Sequence, residues 1–350
     1  MTEYGHGGDI YSQEVELDYS ANINPLGMPE GVKEAIRWAV DQAAPYPDSA
    51  CRRLRGRLAD VYGIGADRII CGNGAADLIF QLAWGLAPKR ALLTAPSFSE
   101  YGQALRAAGA EVVSCMLREE RGFAFSLEDW KKKAEDFHPD MAFFCNPNNP
   151  TGLAEPKETV AEMAKFCREM GIFLVVDECF GEFLDEPERY SILGEIDRFP
   201  NVFVLKAFTK LYALAGVRLG YGFCSDGRVL EAMERVRQPW SVSALAQAGG
   251  EAALKETEYV EKTRRLIRAQ REFLKNGLKE LGFAVWDSMA NYLFFSGDPG
   301  LKEKLLERKI LIRSCANYPG LDGRYYRICV RTEAENRRFL EELKRVLEHR

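Results

Sequence analysis

Between about residues 68 and 237, short runs that are apolar at nearly every position alternate with stretches whose apolar residues recur at helical spacing. Residues 68–71, 91–94, 112–115, 141–145, 173–177 and 202–205 read as strands, with helices over 75–87 and 158–170 among them. A strand without polar alternation is covered on both faces, so this pattern predicts an α/β unit with a mostly parallel sheet. Beyond Pro239 the pattern changes to a long charged helix over 258–281, short strands at 292–295, 310–312 and 326–330, and a last helix from Glu333. That second pattern predicts a smaller α+β domain. The charges on the long helix, Glu261, Lys262, Arg264, Arg265 and Arg268, read as a solvated face. The chain divides on this reading into an N-terminal arm (1–45), a large domain (46–237) and a small C-terminal domain (238–350).

Composition narrows the partners. The 350 residues fit about two domains at roughly 150 residues each. A net charge of −5 leaves no basic footprint for nucleic acid or an anionic membrane. No apolar run approaches the ~20 residues of a membrane span, and the first nine residues have no basic start or apolar block, so a cytoplasmic protein is expected. The nine cysteines are scattered without a C-x-x-C pair, which fits reduced thiols. Three histidines, His6, His138 and His349, are too few and too dispersed for a His-based metal centre.

One stretch is out of character. KAFTKLYALAGVRLGYG, residues 206–222, places Lys210 in an almost wholly apolar run with Arg218 eight residues on. An isolated lysine of this kind is ordinarily a snorkelling surface side chain. Asp177, however, closes another all-apolar strand, where its ordinary reading is a turn or helix cap. In open α/β sheets ligands sit beyond the carboxyl ends of the strands. A buried cation and anion there need each other or a ligand. A desolvated lysine is a carbonyl-reactive amine, and a buried carboxylate suits a pyridinium nitrogen. Pyridoxal phosphate requires that combination. The turn C-G-N-G-A-A-D at 71–77 offers a phosphate cradle at a helix start, and Arg218 adds a charge-assisted contact.

These motifs together carry a family resemblance. FTKLYALAGVRLGY (208–221), NPNNPTG (146–152) and DECF (177–180) resemble the lysine, Asn-Pro-Thr-Gly and Asp-Glu-Ala-aromatic segments of fold-type I pyridoxal-phosphate enzymes. The likeness covers almost the full length, in the branch of histidinol-phosphate aminotransferases and threonine-phosphate decarboxylases. It implies an aspartate aminotransferase-like fold, with a seven-stranded type of sheet in the large domain. It implies that Lys210 binds the cofactor aldehyde and later moves protons, and that Asp177 keeps the ring nitrogen protonated. Asn149 would bond the phenolic oxygen, Phe98 would stack on the ring, and Ala75, Ala76, Thr209 and Arg218 would hold the phosphate. Tyr46 would reach the phosphate of a neighbouring subunit in a homodimer.

For the substrate, the resemblance implies a carboxylate fork at Arg327, a second anion contact at Arg313, and Arg324 as a further candidate. It adds His6, Gly7, Gly8 and Asn24 from the N-terminal arm. HGG (6–8), the segment 17–27 and PWSV (239–242) resemble the decarboxylases. The expected activity is decarboxylation of O-phosphothreonine or a close relative such as O-phosphoserine, giving an aminoalkyl phosphate for cobamide side-chain assembly. Alternatives are a histidinol-phosphate aminotransferase and a silent binding or regulatory protein. Four positions depart from the pattern. Ala207 replaces a phosphate-binding serine, Phe180 a common tyrosine, and Asp9 and Ser243 expected asparagines.

Overall fold

The computed structural model describes residues 5–348, so His349 lies outside the described residues. The chain enters through a two-residue strand, β1 (Leu17–Asp18), and then builds a seven-stranded sheet. Its strands are β2 (Ile69–Gly72), β3 (Arg90–Ala95), β4 (Glu111–Met116), β5 (Met141–Cys145), β6 (Phe173–Asp177), β7 (Val202–Ala207) and β8 (Gly220–Phe223). The spatial order is β2-β8-β7-β6-β5-β3-β4. Strands β3 to β7 run parallel, and β8 lies antiparallel to both β2 and β7.

The unbroken apolar runs follow from two cores. Leu92, Ala142, Phe144, Leu174, Val176, Val202 and Val204 face one core, against Trp130, Val160 and Met163 of the helices Leu127–Phe137 and Lys157–Glu169. Their alternates Leu93, Phe143, Val175, Phe203 and Leu205 face the other, against the helices Ala75–Leu86 and Gly227–Val236. Each residue of the period-two pleat is therefore covered by one helical layer or the other.

Strand β8 was not expected from the sequence. Its Gly-Tyr-Gly-Phe reads poorly as a strand, because glycine packs nothing and weakens one. The structure gives the reason for Gly222: a Cβ there would lie 2.1 Å from the Phe203 ring of the adjoining strand. The glycine makes room for a core aromatic.

The small unit forms around the helix Thr257–Glu280. Its strands are β9 (Ala284–Val285), β10 (Tyr292–Ser296), β11 (Ile310–Leu311), β12 (Arg313–Ser314) and β13 (Tyr325–Cys329), followed by the helix Glu333–Glu348. β12-β13-β10-β9 is an antiparallel sheet, whereas β11 pairs in parallel with β1. The single strand expected at 310–312 is thus two, because its first half is claimed by the N-terminal arm.

Behind the Lys210 turn lies a buried ion network. Lys206 of β7 is 2.9 Å from Glu182 and 3.2 Å from Glu178. Arg264 of the long helix donates from Nε to the Glu182 carbonyl at 3.0 Å. With its side chain only 16% exposed, Arg264 departs from the solvated face expected for that helix. Burial opposes the charge on Lys206, but Glu182 and Glu178 outweigh it and hold the ammonium above its ordinary range. Lys206 in turn holds the Glu182 carboxyl low.

Removing one member of such a network leaves an uncompensated buried charge. Lys206→Met is expected to destabilise the fold by about 3–5 kcal/mol, read as a lower urea midpoint. Glu182 titrates below its ordinary value when folded, so its contribution is present above that value and is lost as the pH falls towards the folded pKa. Lys206→Met should therefore also flatten the acid limb of stability against pH; an unchanged midpoint and limb would remove the network from the account.

Candidate active site

A cavity of about 300 Å³ opens at the carboxyl ends of β5, β6 and β7 and is closed by residues of the small unit and the N-terminal arm. Lys210 enters it from the short helix Phe208–Leu211 immediately after β7. Burial, then the charges of Arg327 and Arg218, push its amine down to about 8. Near neutral pH a sizeable fraction of the amine is therefore uncharged and nucleophilic.

Asp177 ends β6 and is buried. Its Oδ2 accepts from the Tyr101 hydroxyl at 2.5 Å and its Oδ1 from the Cys179 N–H at 2.9 Å. Burial raises its carboxyl pKa, and these donors oppose the rise. Tyr101 is itself fixed by stacking on Phe143 and by an edge contact with Phe98, which lines the cavity.

One end of the cavity is lined by the start of a helix. The helix Ala75–Leu86 has Gly74 at its N-cap and no side-chain cap, so N–H groups of its first turn are free for an anion. A Cβ on Gly74, which has φ +85°, would sit 2.3 Å from Arg218 Nη2. Glycine therefore lets the guanidinium lie against the helix start. Arg218 is anchored by an Nη1 bond to the Ala215 carbonyl at 3.1 Å. Ala75, Ala76, Ala207 and Thr209 complete this end of the cavity. No hydroxyl stands at 207.

At the opposite end, Arg313 and Arg327 are cross-strand partners in β12 and β13 and so stand side by side on one sheet face. Like charges in that register repel unless an anion lies between them. Arg327 donates to Asn149 Oδ1 and to the Ser20 carbonyl, both at 2.6 Å, while its buried Nε has no partner. Arg313 lies over the Tyr318 ring and donates to Asn317 Oδ1 at 2.8 Å. His6 and Gly7 also line the cavity.

Several expected residues stand elsewhere. Asn24 uses its amide on the Leu211 carbonyl and Thr263 Oγ1, each at 2.7 Å, and so braces the turn after Lys210 instead of facing the cavity. Arg324 is 57% exposed and paired with Asp322. Gly8 is outside the lining and donates its N–H to Ser20 Oγ. Tyr46 is 78% exposed, stacked on Trp240 and outside this chain's own cavity. Asp9 is occupied with Ser12, and Ser243 caps the helix Ala244–Ala253 through the Ala246 N–H. Phe180 lines the cavity edge-on to Tyr292.

Sequence reasoning missed Asn22, Glu100 and Tyr318, all of which line the cavity. Asn22 is buried and neither atom of its side-chain amide has a partner. Asn24 was the asparagine expected at the site, but a tight turn with Ile23 N–H on the Ala21 carbonyl separates its direction from that of Asn22. The unpartnered Asn22 amide and Arg327 Nε suit an anionic ligand. The amine, the ring-facing carboxylate and the helix start suit pyridoxal phosphate, so the donor set fits that cofactor.

Comparison with known proteins agrees. The chain belongs to the aminotransferase class I and II family, whose family model matches residues 15–343. It is a pyridoxal-phosphate enzyme of fold type I. It is 40% identical to a threonine-phosphate decarboxylase of Salmonella typhimurium, over 98% of this chain and 96% of that protein. It is 33% identical to a histidinol-phosphate aminotransferase of Nitratidesulfovibrio vulgaris, over 94% and 88%. The crystal structure of the histidinol-phosphate aminotransferase from Clostridium acetobutylicum superposes with a TM-score of 0.89 at 31% identity, over 95% of this chain and all of that one.

Two measurements follow. Uptake of pyridoxal phosphate by cofactor-free protein, followed by absorbance, should accelerate with rising pH to a plateau above about 8, as Lys210 loses its proton. Arg327→Gln removes a neighbouring cation and should move that midpoint upward; a downward shift contradicts the assignment. Ala207→Ser should slow cofactor loss on dialysis by roughly tenfold, the worth of a hydroxyl bond to a charged phosphate.

Proposed function

We propose that the chain decarboxylates O-phosphothreonine or a close relative such as O-phosphoserine, yielding an aminoalkyl phosphate for cobamide side-chain assembly. The observation that carries this reading is the seating of the N-terminal segment. It brings His6 into the cavity that Arg313 and Arg327 already line, so a carboxylate and a phosphate can both be held. When bound, the cofactor would supply an electron sink for the bond that breaks at Cα.

The protein's own residues decide the rest. Asp177, whose carboxylate accepts from Tyr101 and the Cys179 N–H, would hold the proton on the ring nitrogen. Asn149 receives Arg327 on its oxygen, which leaves its NH₂ group to face the cofactor's phenolic oxygen. Arg313 and Arg327 would hold the substrate carboxylate in the pose from which its bond to Cα can break. After carbon dioxide leaves, Lys210 delivers a proton to Cα, where the carboxylate stood. A misplacement of about an ångström by the arginines would cost ~100-fold in rate.

Transamination of histidinol phosphate with 2-oxoglutarate uses the same lysine, aspartate and arginines, and is the second reading. Phe180, which brings no hydroxyl to the cavity, favours the first. A binding role without turnover is disfavoured by the complete Lys210, Asp177 and Arg218 set. Carboxyl-labelled O-phosphothreonine should release labelled carbon dioxide without an oxo-acid acceptor. Formation of glutamate from histidinol phosphate and 2-oxoglutarate, with no carbon dioxide from either phosphoamino acid, would overturn the decarboxylase.

The same reading makes the enzyme a homodimer of the cytoplasm. The described cysteines are all free, and no helix among the described residues is long and apolar enough to cross a membrane. Tyr46 and Trp240 form an exposed stacked aromatic pair suited to a second copy of the chain. Activity should therefore fall on dilution as subunits separate, and Tyr46→Ala should weaken cofactor retention. Full activity from a demonstrably monomeric protein contradicts this.

A further inference from the structure

Glu100 has no role in the account so far. It lies in the first turn of the helix Ser99–Ala107, and its side chain, only 10% exposed, lines the cavity. Among the described cavity residues, Asp177 is the one other carboxylate. A buried negative charge in a cavity for anionic groups works against binding and is costly to bury unless it is fully partnered.

Both of its oxygens are taken. Oε2 accepts from Ser99 Oγ at 3.1 Å, and Oε1 lies 3.1 Å from His6 Nδ1. A carboxylate only accepts, so the proton in that contact belongs to His6 Nδ1, and Nε2 is the ring nitrogen left for a ligand. Without Glu100, His6 would be a side chain 55% exposed near the start of the chain, with its ring orientation unspecified.

The backbone around His6 is held as well. Asn317 donates from Nδ2 to the Gly5 carbonyl at 3.3 Å and accepts from Arg313 at 2.8 Å. Gly7 passes so close to the arm that a Cβ would lie 2.2 Å from the Ser20 carbonyl oxygen. The position of the ring is thus fixed by the chain on both sides, and its orientation by Glu100.

We propose that Glu100 is a positioning residue for the substrate phosphate: by holding His6 at Nδ1 it aims Nε2 at the phosphate. Glu100 then sets the preference for phosphorylated over unphosphorylated amino acids. The inference rests on reading the cavity as that of an enzyme for phosphorylated amino acids.

The test measures binding to the cofactor-loaded enzyme, as the change in cofactor absorbance on titration with O-phosphothreonine and, separately, with threonine. Glu100→Gln should weaken O-phosphothreonine by about tenfold or more and threonine by less than about twofold, the difference expected for loss of one charge-assisted contact. In His6→Ala the further change Glu100→Gln should add nothing, because the two residues act as a unit. Equal weakening of both ligands, or additive effects in the double variant, overturns the proposal. If Glu100→Gln does not fold, Glu100→Asp takes its place: its shorter arm withdraws the carboxylate, and wild-type selectivity in that variant also overturns the proposal. Failure of the wild type to release carbon dioxide would sink the decarboxylase reading alone, since selectivity is read here from binding.

Discussion

Four cationic side chains, Lys210, Arg218, Arg313 and Arg327, face one cavity of about 300 Å³, and the architecture is arranged around keeping them there. Their mutual repulsion in a desolvated space is a standing cost. Two carboxylates of the cavity oppose it, each engaged by a neighbour. Asp177 is tied to Tyr101, and Glu100 is tied to His6. Burial depresses the Lys210 pKa first, and the charges of Arg327 and Arg218 depress it further, because a neutral amine is the one member of the set that can relieve the repulsion.

The contrast with Lys206 makes the point. Four residues from Lys210 and more deeply buried, it faces two carboxylates and stays charged. Burial is common to both lysines, so burial alone decides nothing about their chemistry. What differs is the sign of the neighbours.

Much of this was legible in the sequence because it rests on local pattern. The strands β3, β5, β6 and β7 are apolar at most positions since two helical layers cover them, and that is visible without coordinates. Lys210, Asp177 and Arg218 stood out because charge in an apolar run is rare and needs a reason. The resemblance to fold-type I enzymes supplied Asn149, Phe98, Arg313 and Arg327, all of which the structure brings to the cavity. What the sequence hid depends on contacts between distant segments. Nothing local marks Gly222 as a strand residue until Phe203 is seen beside it. Asn22 and Asn24 differ only by a turn, and Glu100 gains meaning only when His6, far away in the chain, is placed against it. Arg324 was plausible by its neighbours in sequence, yet the chain reverses and pairs it with Asp322 in solvent.

The arm that seats His6 has a consequence for how the protein is made. β1 pairs with β11, Cys329 donates its N–H to the Tyr19 carbonyl, and Tyr19 packs on Phe339 while its hydroxyl reaches Asn336. Leu17 and Tyr19 therefore have partners that are synthesised much later than they are. The large sheet can close and receive its helices during translation, but Leu17 and Tyr19 stay uncovered until residues 310–339 have emerged. Contacts of such sequence separation form late and leave apolar surface open in the interval. The Arg313–Arg327 end of the cavity thus forms late, and a nascent chain that stops short of residue 310 would carry Lys210 and the helix start at Ala75 without those two arginines.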